Sequence, residues 1–191
     1  MEDKRLSVGW VMCGSFCTLG TAMKTMAGLA ADYDLVPVMS ENVYSTDTRF
    51  GSAADFIGMA EGICGRRVIH TITQAEPLGP KITLDAMVIA PCTGNTLAKF
   101  THAVTDTSAT MAVKAFMRSP SACPLLIALA TNDALSGTLA NIAAAYSRKR
   151  VYFVPLAADD SAAKPHSLVA RFELIPKALE FALRGEQLPL F

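Results

Sequence analysis

Charge is scarce in this chain, and what there is cancels. Lysine and arginine number 17, aspartate and glutamate also 17, and charged residues make up only 18% of the 191. Nucleic-acid binding needs a basic face, and the one tight basic cluster, Arg148, Lys149 and Arg150, reads as the charged end of a helix before a strand. Nucleic acid is therefore set aside as a partner. Long apolar runs are missing as well. Hydrophobic residues make up 51% of the chain, yet no stretch approaches the roughly 20 that a membrane helix needs, so no membrane association is expected. The charged opening from Met1 to Arg5 runs straight into an apolar segment and reads as no secretion leader. The five cysteines, Cys13, Cys17, Cys64, Cys92 and Cys123, are odd in number and scattered. They match neither a zinc spacing nor a disulfide framework, so no metal site is expected and buried reduced thiols are. Two nucleotide signatures are also lacking. The turn Cys13, Gly14, Ser15, Phe16 has neither the G-x-G-x-x-G dinucleotide fingerprint nor the lysine of a phosphate-binding loop. Both absences argue against a nicotinamide or ATP site in this chain.

What the chain does have is apolar surface in excess of its charge. Large exposed apolar patches are rare on monomers, so a cytoplasmic homo-oligomer is expected, with contacts around residues 111–117 and beside the helix that follows residues 91–96. The length fits a single domain, 1–191, ending in a loop and helix from about residue 157.

Strand-like runs at 6–13, 35–40, 67–73, 86–90, 124–130 and 151–156 are continuously apolar rather than alternating. That is the pattern of strands buried on both faces of a parallel sheet. Helical periodicity lies between them, as in Leu19, Ala22, Met23, Met26 and Ala30, or Phe50, Ala53, Ile57, Ala60 and Cys64. The fold class is α/β, a Rossmann-like three-layer sandwich with a doubly wound parallel sheet of about six strands. Two loops interrupt the alternation: the Pro/Gly-punctuated 76–81 and the polar 159–166. Pro176 kinks or restarts the helix predicted over 171–184.

Ligands in such sheets sit beyond the carboxyl ends of the strands. Two strand ends there carry polar residues. Gly14 and Ser15, followed by Phe16, open a helix whose free N–H groups and dipole favour an anion. Ser15 either caps that helix or, with Thr18, offers a ligand a hydroxyl. Ser40, ending the second strand, adds a further hydroxyl beside it. The second rim is Pro91, Cys92, Thr93, Gly94, Asn95 and Thr96, whose small residues let backbone approach a ring.

That rim resembles the P-A-S-A-N-T motif of the flavoprotein family containing flavin-dependent cysteine decarboxylases, phosphopantothenoylcysteine decarboxylase and flavin prenyltransferases. Gly14 and Ser15 are similar to its phosphate turn, and Asp106 falls where the family has an acidic residue after the motif helix. The stretches His70–Lys81 and Lys164–Val169 resemble one branch, the B-type subunits of dipicolinate synthases of spore-forming bacteria. The resemblance implies FMN held by Gly14, Ser15, Phe16, Ser40, Pro91, Cys92, Thr93, Asn95, Thr96 and Asp106. It implies a trimer or a multiple of trimers, in the mother-cell cytoplasm, oxidising a dihydrodipicolinate-type dicarboxylate to dipicolinate. The A-type subunit is the implied partner and carries NAD(P). Of the decarboxylases' P-x-M-N motif only Asn132 is kept, so decarboxylation or prenyl transfer, like a purely accessory subunit, is an alternative. Asn132 and His70 are the candidate catalytic residues, although a histidine in a strand pattern is more often a hydrogen-bonded core residue than a base. Lys81, Lys99 and Lys164 are candidate partners for the substrate carboxylates.

Overall fold

The computed structural model describes residues 5–119 and 123–190. The charged residues Met1 to Lys4, read above as no leader, lie outside them. Strands β1 (Ser7–Met12), β2 (Asp34–Met39), β3 (Ala86–Cys92), β4 (Leu125–Thr131) and β5 (Val151–Phe153) pair in parallel in the order β2-β1-β3-β4-β5. All seven residues of β3 and six of the seven in β4 are buried, because helices cover both faces. On one face α1 (Phe16–Leu29) packs against β3 and against α8 (Ile175–Leu183), which lies on β4. On the other, α6 (Ser108–Met117) lies on β1 and β2, α5 (Gly94–Thr101) on β4, and α7 (Leu139–Tyr146) against α5 and β5. The core between these layers holds Trp10, Met87, Ile127 and Phe153.

The sheet, expected at about six strands, has seven: the five parallel ones and two antiparallel additions. The 151–156 run is broken after Phe153, and Leu156–Asp160 forms a separate strand, β6, which pairs antiparallel with β7 (Lys164–Ala170). β7 in turn pairs antiparallel with the last residues of β4, Ala130 and Thr131. The polar 159–166 segment is thus mostly a hairpin that extends the sheet beyond the carboxyl end of β4. The segment 67–73 is not a strand: only a single bridge joins Ile69 to Val38. Thr71 instead opens the short helix α4 (Ile72–Ala75), its hydroxyl accepting from the Gln74 amide while the Gln74 side chain accepts from the Thr71 amide. That reciprocal cap satisfies two donors at once. Pro176 sits in the first turn of α8, where a missing N–H costs nothing. It starts the helix and does not kink it.

The 111–117 face expected at a subunit contact is largely consumed within the chain. Ala112, Val113, Ala115 and Phe116 are buried, with Met111 and Met117 half-buried. The exposed large apolar side chains lie elsewhere, among them Leu135, Leu139 and Tyr146 at and beside α7.

Gly79 and Gly65 allow a direct stability test. Gly79 has φ +92°, and a Cβ there would lie 2.7 Å from the Ala115 carbonyl oxygen. Gly65, at φ +64°, faces open space. Gly65→Ala should cost about 1–2 kcal/mol, the left-handed penalty alone. Gly79→Ala should cost clearly more in a urea titration, because backbone must move as well.

Candidate functional site

In this strand order the winding reverses between β1 and β3: α1 leaves β1 toward one face and α5 leaves β3 toward the other. A crevice opens there. The two strand ends are tied together by the Cys13 amide donating to the Pro91 carbonyl (3.0 Å), and β2 joins through the Ser40 amide donating to Met12 (2.9 Å).

Two hollows share this crevice and the residues Gly14, Thr93 and Asn95. The smaller, about 450 Å³, is completed by Ser40, Glu41, Thr96, Lys99 and Asp106, among others. The larger, about 680 Å³, is bordered by Ser15, Phe16, Arg49, Asn132, Asp159 and Lys164, among others. Both volumes suit small organic ligands.

Ser40 is the informative residue. Its hydroxyl oxygen is buried and has no hydrogen-bond partner, although it precedes α2 (Glu41–Ser45), where a serine would ordinarily cap. A desolvated orphan hydroxyl costs on the order of 1–3 kcal/mol, and at the edge of a crevice, unlike the other orphan Trp10 Nε1 in the core, it is placed to take a partner that enters. The start of α1 agrees. Ser15 makes no side-chain cap; instead the Thr18 hydroxyl donates to the Ser15 carbonyl and hydroxyl oxygens, each at 3.0 Å. The leading N–H groups of a helix have no intrahelical partner; here the Thr18 amide donates to the Ser15 carbonyl (3.1 Å), and no side chain caps those before it. A Cβ at Gly14 would sit 3.5 Å from the Phe16 ring and 3.7 Å from Asn42, so the fold tolerates a side chain there and the glycine leaves room.

The charges around Ser40 are already engaged. Glu41 accepts from the Ser108 amide (2.8 Å) at the start of α6, where the helix dipole favours a carboxylate. Asp106 accepts from Lys99 Nζ at 2.9 Å, and that contact holds its carboxyl below the usual range. An anionic group entering here is therefore met chiefly by amides and hydroxyls. In the larger hollow Lys164 Nζ donates to Asp159 at 2.7 Å, and the Ser167 hydroxyl stands within reach of the Thr131 carbonyl (3.3 Å), Asp159 (3.4 Å) and Asn132 Oδ1 (3.5 Å).

Of the residues picked out from the sequence, Gly14, Ser15, Phe16, Ser40, Thr93, Asn95, Thr96, Asp106 and Asn132 border one hollow or both. Pro91 and Cys92 are buried behind the rim and line neither. Burial pushes the Cys92 thiol well above its ordinary pKa, which suits a core residue. His70 is not with them. Its ring stacks on Tyr44, centroids 3.6 Å apart, beside an adjoining hollow bordered by Ser45 and Ile72 that shares Glu41 with the smaller one. Its reading as a strand residue is corrected with that of the 67–73 segment. Gly94 stands under a further constraint. Its missing Cβ would strike Thr131 Oγ1 at 2.6 Å and Thr138 Oγ1 at 2.7 Å, so the protein's own side chains already require the glycine, which also borders the larger hollow. Those two hydroxyls donate to Asp133 and keep its carboxyl below the usual range. The stabilisation this gives is present at neutral pH and lost as pH falls through that lowered value. Lys81 lies in a hollow with Glu76 and Arg118, apart from the crevice. Arg49, which the sequence did not single out, borders the larger hollow.

A doubly wound sheet with an uncapped helix start and an orphan hydroxyl at its switch point is the arrangement in which α/β proteins hold phosphorylated ligands. The chain belongs to the Flavoprotein family, whose model matches residues 65–164. It is similar to the B-type subunit of dipicolinate synthase from Bacillus subtilis, 40% identical over 98% of this chain and 92% of that protein. The crystal structure of the corresponding dipicolinate synthase subunit from Bacillus halodurans superposes with a TM-score of 0.87 at 38% identity, over 98% of this chain and 96% of that one. The FMN-dependent cysteine decarboxylase SpaF shares the fold, with a TM-score of 0.65 at 23% identity over 93% and 97% of the two chains. Among the described residues no helix is long and apolar enough to cross a membrane, and no cluster of three or more potential metal ligands occurs.

Ser40→Ala separates the cofactor reading from a purely structural one. Removing an orphan hydroxyl should leave the stability of the flavin-free chain unchanged or slightly raised. FMN affinity, read by fluorescence quenching, should fall about tenfold or more, as for loss of a hydrogen bond to a charged group. An unchanged affinity would place the cofactor elsewhere.

Proposed function

We propose that this chain is the flavin-binding subunit of a dipicolinate synthase, oxidising a dihydrodipicolinate-type precursor together with a nicotinamide-binding partner. The observation that carries the reading is the buried, unpartnered Ser40 hydroxyl beside the uncapped start of α1. The similarity to B-type dipicolinate synthase subunits over nearly the whole chain supplies the reaction. The cysteine decarboxylase likeness, at 23% identity, supports the fold alone, so decarboxylation and prenyl transfer are not favoured.

In this reading the FMN phosphate lies against Gly14, Ser15 and Ser40, and the ring end lies along Thr93, Asn95 and Thr96 toward Asp106. When bound, the flavin supplies a two-electron acceptor of hydride. The residues of the chain do the rest. Asn132 borders the larger hollow and offers it a side-chain amide. Aromatising a dihydropyridine dicarboxylate removes one hydride and one proton. Once the hydride is gone, loss of the proton is driven by aromaticity and needs no strong base. That fits a larger hollow whose described lining holds no imidazole and one carboxylate, Asp159, engaged by Lys164. The electrons must then leave. The chain has no dinucleotide fingerprint of its own, so NAD(P) on the A-type subunit is the proposed acceptor. A homo-oligomer, a trimer or a multiple of trimers, is proposed as the working assembly in the cytoplasm of a spore-forming cell. The exposed Leu135, Leu139 and Tyr146 are its candidate contact surface.

Dipicolinate formation from the dihydro precursor should require both chains. Measured for this chain alone, for the partner alone and for the mixture, product should appear at full rate only in the mixture. Full activity of this chain with free nicotinamide would overturn the partner requirement. Full activity of the partner alone would leave this chain an accessory.

A further inference from the structure

Arg49 and Phe50 form the tip of a two-residue turn held closed from both sides. The Thr48 amide donates to Gly51 O (3.0 Å) and the Gly51 amide to Thr48 O (3.1 Å). The Phe50 amide also donates to Thr48 Oγ1 (3.2 Å), and just beyond the turn the Ala53 amide donates to Asp47 (2.8 Å). Gly51, at φ +147°, packs so closely that a Cβ would lie 2.8 Å from the Phe56 ring. The turn is thereby fixed against α3 (Ala53–Cys64). It places two exposed residues at the larger hollow.

At that tip the Arg49 guanidinium lies over the Phe50 ring, 4.8 Å from its centroid. Stacking holds the planar head on an aromatic shelf while its edge donors stay available, which lowers the ordering cost of a fork-like hydrogen bond. Phe50 is itself 46% exposed, so this shelf lies open at the mouth of the hollow. The charges of this hollow are unequal. Its described lining contains Arg49, Lys164 and Asp159. Asp159 is taken by Lys164, and Arg49 makes no ion pair with any described residue. One guanidinium is left over.

We infer that Arg49, braced on Phe50, is the carboxylate-recognition residue of this site and sets its preference for a ring dicarboxylate. The inference rests on the functional reading above and deepens it. A guanidinium matches a carboxylate with two parallel N–H···O bonds, which a lysine does not reproduce. The same hydrogen bonds would suit the flavin phosphate, so the two sources must be separated by measurement.

The test uses the full chain loaded with FMN and pyridine-2,6-dicarboxylate as the probe, titrated by calorimetry, with uncharged pyridine as control. In the wild type, dicarboxylate affinity should fall as salt rises, since an exposed cation is screened. Arg49→Gln should weaken the dicarboxylate tenfold or more and flatten that salt dependence. Arg49→Lys should recover part of the loss, and Phe50→Ala should weaken binding a few-fold by removing the shelf. FMN retention should be the same in all four proteins. Arg49 is exposed and makes no ion pair, so these variants are expected to fold; circular dichroism checks it. Equal dicarboxylate affinity in wild type and Arg49→Gln would overturn the inference alone. So would a tenfold loss of FMN in that variant, which would assign the guanidinium to the phosphate. Failure of the wild type to bind the dicarboxylate would overturn the functional reading, and this inference with it.

Discussion

The whole site depends on two adjacent parallel strands whose following helices leave toward opposite faces. β1 and β3 run side by side, and the Cys13 amide reaches across to the Pro91 carbonyl. α1 lies on one face and α5 is packed with the helices of the other. No helix can then fill the space directly beyond these strand ends, and a crevice follows from the winding. The burial that enforces the arrangement is severe. Trp10, Met12 and Met87 are all fully enclosed, and at about 25 cal/mol per Å² such burial fixes the strands far more firmly than any polar contact at the rim could. The polar residues at the crevice are therefore free to remain unsatisfied by the protein itself. Ser40 does so.

The parallel core was legible because its strands are buried on both faces and read as continuous apolar runs. That signal fails where burial is partial. Val68 and Ile69 are apolar, but one bridge to Val38 is all the pairing the 67–73 segment makes. The sequence there held a competing signal, Thr71 followed three residues later by Gln74, which is a helix start. The β6–β7 hairpin was missed for the opposite reason. Four of the five residues of β6 are exposed, so it carries neither a buried run nor a clean alternation. Its partner strand begins with the exposed Lys164, Pro165 and His166. An antiparallel extension of this kind is seen in a sequence only when something else demands it.

The site was legible to a similar depth. Residues recognised as strand ends, such as Gly14, Ser15, Ser40 and Asn95, do converge on the crevice, because the topology puts every parallel carboxyl end at one edge. Residues judged by chemistry alone fared less evenly. His70 was singled out as an imidazole, but its place beside Tyr44 is set by the loop before α4, which no periodicity predicts. Gly94 was judged small for a ligand's sake, while its neighbours Thr131 and Thr138 already require the glycine. Arg49 was passed over because a cation in a polar stretch reads as solvated surface until the Thr48–Gly51 bridge fixes where it stands.

The two hollows differ in a way that bears on which part of a ligand each suits. Around Ser40 each charge has a partner, Glu41 at the start of α6 and Asp106 on Lys99. An anion there gains from amides and hydroxyls without displacing an ion pair. Such a site suits a resident group, since it offers many weak directional contacts and little long-range pull. The larger hollow has the reverse character. Its Lys164–Asp159 pair is settled, and its surplus is one exposed guanidinium at the mouth, where charge acts at a distance and can be screened. That suits a molecule that must arrive, be oriented by a carboxylate, and leave again. The shared rim of Gly14, Thr93 and Asn95 is where the resident group and the transient one would meet.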